Sequence, residues 1–172
     1  MLSRGKPLQP QLSEADADAL IEGLAAYSAK PWSFVLWAFP WGEENTPLAS
    51  IQSPSDWQKQ VLVDLEADLI TFDQALLRAI KGGKGGGKSA LIAMIILWAF
   101  STLPETRGRV TANTRTQLET VTWAEVNKWF NMFIAKDLFE LAATSLHARD
   151  KRFEKTWRID AMPWSKENPD AI

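Results

Sequence analysis

Gly82-Gly83-Lys84-Gly85-Gly86-Gly87-Lys88-Ser89, running straight into the apolar stretch from Ala90 to Phe100, decides the fold. The eight residues fit the pattern G-x-x-x-x-G-K-[ST]. Glycines at this density let successive backbone N–H groups turn inward onto phosphate oxygens. A helix leaving the loop presents its unsatisfied N-terminal N–H groups and its positive dipole end to the same anion. In such a loop Lys88 reaches the β- and γ-phosphates and acts on the reacting group, and the Ser89 hydroxyl is a ligand for Mg²⁺. The motif thus names Gly82, Gly83, Lys84, Gly85, Gly86, Gly87, Lys88 and Ser89 as a binding site for ATP and Mg²⁺. Lys84 adds a cation inside the loop. It can contact phosphate or a neighbouring subunit's nucleotide, although a loop lysine is more often simply solvated. A flexible Gly/Lys linker shares the composition but would not run directly into eleven consecutive apolar residues.

Outward from the loop, the periodicity predicts the elements that frame it. Residues 75–80, ALLRAI, enter the loop and read as a short buried strand, with Ile80 the one β-branched residue. Ser89 to Phe100 reads as a helix buried on most faces; it is too short for a membrane span, which needs about 20 residues. Upstream, Trp57, Val61, Leu62, Leu65 and Leu69 recur at three- and four-residue intervals and predict a helix from Asp56. Ser13 with Asp16 marks a helix start, ended by Pro31. Residues 32–41, WSFVLWAFPW, and the turn-rich stretch to Pro54 read as an arm laid over the core. Downstream, Arg109 to Ala112 reads as a strand, and Thr114 or Thr116 opens a helix reaching about Ile134. Residues 139–148 and 153–161 read as two further strands; in the second, Trp157, Ile159 and Ala161 alternate with Arg158 and Asp160. Strands alternating with helices predict an α/β fold, a P-loop NTPase with a parallel sheet flanked by helices.

Composition bounds the chemistry. The 172 residues suffice for one core, and nine Trp argue against disorder. There is no Cys, which removes disulfides, thiolate metal sites and Cys nucleophiles, and His147 is the single histidine. The N-terminus, with Pro7 and Pro10, lacks the apolar run of a signal peptide, so a soluble cytoplasmic chain is expected, away from membranes. The net charge of -2 conceals a split: residues 1–77 carry four basic and eleven acidic side chains, the remainder fifteen and ten. A polyanion would meet the second half.

Several stretches together resemble the N-terminal region of phage terminase large subunits. They are Phe34-Val35-Leu36-Trp37-Ala38-Phe39-Pro40-Trp41-Gly42, Pro54 with Trp57-Gln58, GGGKSALIAMIILWAFST at 85–102 and RGRVTANTRTQLETVTWAEVNKWF at 107–130. The resemblance covers roughly residues 30–166. It implies an ATP-driven motor that packages double-stranded DNA into a capsid, and a family that also carries an endonuclease. By the same resemblance the partners are double-stranded DNA, the portal protein and the small terminase subunit. The full-length protein would form a homo-oligomeric ring, working in the bacterial host cytoplasm at the procapsid. Trp57-Gln58 matches the adenine-side element, where the Gln58 amide can offer a donor and an acceptor to the base; Trp57 also suits plain helix packing. Thr111-Ala112-Asn113 matches an element that couples nucleotide state to DNA, and equally suits a turn and helix cap.

Such ATPases need an acidic pair after an apolar strand, one carboxylate for Mg²⁺ and one to polarise water. Asp64 ends Val61-Leu62-Val63 but lies in a helical pattern; Asp160 follows Trp157-Arg158-Ile159 without a second carboxylate beside it. By the resemblance, the chain stops in mid-domain, before the acidic motif and before any nuclease. The organisation expected is an N-terminal arm and helix over 1–55 and a partial P-loop ATPase domain over 56–172. Two alternatives stand beside this reading: a small self-contained P-loop kinase, and a remnant that binds nucleotide without hydrolysis.

Overall fold

A computed structural model describes residues 13–71, 75–81, 83 and 85–163. Helix α1, Glu14–Ala26, begins where the Ser13 hydroxyl oxygen accepts the Asp16 N–H at 3.1 Å. Pro31 occupies the first turn of α2, Pro31–Ala38, where a missing N–H costs nothing. Helix α3, Asp56–Thr71, turns Gln58, Leu62 and Leu65 inward, as the three- and four-residue spacing requires. Helix α4, Lys88–Thr102, leaves the glycine loop and buries Leu91, Ala93, Met94, Leu97, Trp98 and Phe100. Its last two side chains, Ser101 and Thr102, are buried too, and each hydroxyl donates to a carbonyl one turn back, at 2.7 Å.

Beyond α4 come β1, Arg107–Val110, and a helical stretch in three parts. Helix α5, Arg115–Gln117, is capped by Thr114, whose hydroxyl accepts the Gln117 N–H at 3.1 Å; a π-helical turn, Leu118–Trp123, leads into α6, Ala124–Met132. The wider i→i+5 turn brings Leu118 and Trp123, five residues apart, into the same core. Strands β2, Phe139–Leu141, β3, Ser145–Ala148, and β4, Arg158–Ala161, complete the sheet.

The fold is mixed α/β, and the sheet corrects the parallel arrangement expected from the sequence. Its order is β1-β4-β3-β2; β1 and β4 run parallel, while β4–β3 and β3–β2 are antiparallel. Residues 139–148 are a hairpin rather than one strand, closed by the Ala142 N–H donating to Ser145 O at 2.7 Å. Of 153–161 only Arg158–Ala161 is strand, because Phe153, Thr156 and Trp157 are drawn into turn hydrogen bonds.

Residues 75–80 are not a strand either. They pair with no described strand, and Leu77 is 92% exposed. The segment is fastened to α3 instead. Arg78 Nε donates to the Asp68 carboxylate at 2.7 Å, its Nη2 bonds the same carboxylate, and Nη2 also reaches Asp64 O at 3.1 Å.

One hydrophobic core spans Leu24 to Ala161, threaded by aromatic rings. Phe34 meets Phe133 at 5.8 Å and Phe39 meets Trp129 at 5.0 Å, joining α2 and its exit to α6. Phe139 meets Phe100 at 5.0 Å and Trp157 at 5.4 Å, joining β2 to α4 and the start of β4. The indole N–H groups of Trp41, Trp98, Trp123 and Trp157 each donate to a backbone carbonyl, so these rings bring no unsatisfied donor into the core. No described helix is long and apolar enough to cross a membrane.

Candidate functional site

The glycine loop lies where α3 meets the first turn of α4. Of its residues, Gly82 and Lys84 lie outside the described residues; Gly83, Gly85, Gly86, Gly87, Lys88 and Ser89 are placed. Gly85 (φ +83°) and Gly87 (φ +78°) take the left-handed conformation, on either side of Gly86. An L side chain rarely adopts that conformation, so the glycines are a backbone requirement here. Gly87 is the N-cap of α4, and the helical ladder opens with the Leu91 N–H donating to Gly87 O at 3.1 Å. Amides before that bond have no intrahelical acceptor, which is what an anion at a helix start uses. Lys88 Nζ arches back and donates to Gly83 O, closing the loop on itself. Ser89 is half-buried in the first turn.

Gln58 holds the loop from behind. Its Oε1 accepts from the Ser55 N–H at 3.0 Å and from the Ser55 hydroxyl at 2.9 Å, while Nε2 donates to Gly87 O at 2.9 Å. Both acceptor positions and one of two donors are therefore engaged within the chain. A Cβ on Gly87 would stand 2.9 Å from Gln58 Nε2, so a larger residue here would push the Gln58 amide aside, in addition to the cost of the positive φ.

Two hollows flank the loop. A pocket of about 270 Å³ is lined by Trp57, Lys81, Gly83, Gly86 and Lys88, which puts two cations beside the loop. A cleft of about 530 Å³ opens along Gly85–Gly87 toward Trp41, Gln58, Lys128 and Trp129. The motif itself contains neither Lys81 nor Trp41 nor the α6 residues Glu125, Lys128 and Trp129; the fold brings them to the loop. A signal was present for α6, because positions three and four apart share a helix face. Glu125 accepts from Trp129 Nε1 at 2.9 Å and lies 3.7 Å from Lys128 Nζ.

The remaining candidates lie elsewhere. Asp64 is on α3, held by Gln60 Nε2 at 2.7 Å and beside Arg78. Asp160 is on β4 and accepts from Arg158 Nε at 2.6 Å. Thr111, Ala112 and Asn113 follow β1 directly, ahead of the Thr114 cap. His147 is buried on β3, with Nδ1 3.3 Å from Ala148 O. Among the described residues no group of three His, Cys, Asp or Glu side chains could hold a metal ion. Mg²⁺ does not need such a cage, since it binds through one or two protein oxygens, substrate phosphates and water. Comparison of the chain with protein-family models, curated proteins and solved structures finds no match.

Proposed function

We propose that the glycine loop binds Mg-ATP and that the chain is the ATP-binding part of a phage terminase large subunit. Such a motor uses ATP hydrolysis to drive double-stranded DNA into a capsid. The observation that carries the nucleotide reading is the loop itself: left-handed Gly85 and Gly87, the start of α4 at Lys88, and Lys88 folded across onto Gly83 O. With nucleotide bound, Lys88 would exchange that carbonyl for phosphate oxygens, and Lys81 would add charge from the same pocket. Ser89 would give its hydroxyl to Mg²⁺. Lys84, Gly82 and Gly83 complete the loop in this reading.

Gln58 takes a different first role from the one its motif implies. As placed, it can offer adenine one N–H, because the rest of its amide ties Ser55 to Gly87. It therefore shapes the loop, and the aromatic cleft beside it, with Trp41 and Trp129, supplies apolar walls suited to a base. The motor reading rests on the resemblance of the sequence segments, which also brings the portal protein, the small terminase subunit and a ring of copies as partners.

Thermal unfolding followed by tryptophan fluorescence tests the nucleotide reading. A ligand that binds only the folded state at 100 times its Kd stabilises by about 2.7 kcal/mol. The expected result is a higher Tm for the wild type with Mg-ATP, a smaller rise when Mg²⁺ is chelated, and none for Lys88→Ala. An unchanged wild-type Tm across millimolar Mg-ATP would count against the proposal.

A further inference from the structure

A third cleft, about 480 Å³, is lined by Arg107, Gly108, Arg109, Lys155, Arg158 and Asp160. None of these belongs to the glycine loop or to the hollows beside it. Among the described residues that line it are four cations and one carboxylate. The parallel register explains their convergence, since Arg107 stands opposite Arg158 and Arg109 opposite Asp160. The two-residue period of a strand puts Arg107 and Arg109 on one face, about 7 Å apart. Lys155 joins them from the turn before β4.

Arg107 and Arg158 carry like charge and stand opposite each other, so they repel. The chain nevertheless holds them in place: Arg107 Nε donates to Thr156 O at 3.3 Å, and Arg158 Nε to Asp160 at 2.6 Å. Protection of a sheet edge explains charges on β1, which is an edge strand among the described strands. Arg158, on the interior strand β4, has a side chain only 35% exposed and has Asp160 as its own counter-charge. With Asp160 engaged by Arg158, an anion lying over Arg107, Arg109 and Lys155 would meet an excess of positive charge among the described lining residues.

We propose that this cleft seats phosphate groups of a nucleic-acid backbone, at a surface separate from the glycine loop. Spacing favours a backbone over a single small anion, because the cations are spread along two strands and a turn rather than gathered on one point. The described walls carry no aromatic ring on which a base could stack, so the contacts are to phosphate and are independent of sequence. The cleft also lies in the half of the chain with the positive balance. The inference does not rest on ATP binding.

The test is fluorescence anisotropy of a labelled duplex of about 20 base pairs titrated with the full chain at several salt concentrations. Lys155→Glu and Arg107→Gln are each expected to weaken binding about three- to tenfold, equally for two unrelated duplex sequences. Each should lower the slope of log K against log salt by about one. Lys136→Glu, outside the cleft, controls for net charge and should bind as the wild type does. Melting curves identify any variant that fails to fold; Lys155, on an exposed turn, keeps the test open if Arg107→Gln unfolds. Three results would each overturn the proposal: unchanged affinity in Lys155→Glu, an equal loss in Lys136→Glu, or full displacement of the duplex by equimolar pyrophosphate.

Discussion

Gly87 and Gln58 show how tightly single residues set the loop. Gly87→Ala must place a Cβ in the left-handed region, about 1–2 kcal/mol unfavourable, and 2.9 Å from Gln58 Nε2. The expected outcome in urea denaturation is a loss of at least about that size, with nucleotide binding lost as well because the loop cannot close. Gly83→Ala is the contrast. Nothing lies within 4 Å of its would-be Cβ, so its stability should stay within about 0.5 kcal/mol of wild type. Asp160 is bonded to Arg158 in the cationic cleft, so Asp160→Asn should leave ATP affinity unchanged in the same assays. The glycine spacing was legible in sequence because it encodes a local backbone shape. The direction of the Gln58 amide was not, because its partner Gly87 is 29 positions away.

Among the elements, helical periodicity is legible in the sequence and strand direction is not. Helices α3 and α4 announce themselves through apolar spacing, and the caps at Ser13 and Thr114 through their hydroxyls. The β2–β3 hairpin was hidden because Ala142, Ala143 and Thr144 contain no glycine, proline or asparagine to mark a turn. Residues 75–80 read as a strand from apolarity alone, yet the salt links of Arg78 to Asp64 and Asp68 bind them to α3. Whether β1 and β4 run parallel is fixed by the path between them, and a local pattern carries no such information. Burial on α4 separates two otherwise similar substitutions. Leu97 is 1% exposed and Ile92 is 41% exposed. Leu97→Asp puts an unpaired carboxylate into the core, a cost of several kcal/mol on the order of the whole stability. Leu97→Asp should therefore yield no soluble folded protein, whereas Ile92→Asp should remain soluble and melt cooperatively, as read by circular dichroism.

Over the whole molecule, aromatic rings join the segment from Phe34 to Trp41 to α6, and Phe34, Val35, Ala38 and Phe39 belong to the same core cluster. Phe34 is fully buried against Trp37, Phe39 and Phe133, and Phe34→Ala should cost about 3–5 kcal/mol in a single cooperative transition monitored by tryptophan fluorescence. The charge split along the sequence foretold a positive half. It could not foretell that the parallel register of two short strands would gather three arginines into one cleft while Lys81 and Lys88 line another. Whether the glycine loop takes nucleotide is decided by equilibrium titration with a fluorescent ATP analogue in Mg²⁺. Saturable binding by the wild type, lost in Lys88→Ala, weakened in Ser89→Ala and displaced by unlabelled ATP, is the result predicted. Equal affinity in wild type and Lys88→Ala would contradict it.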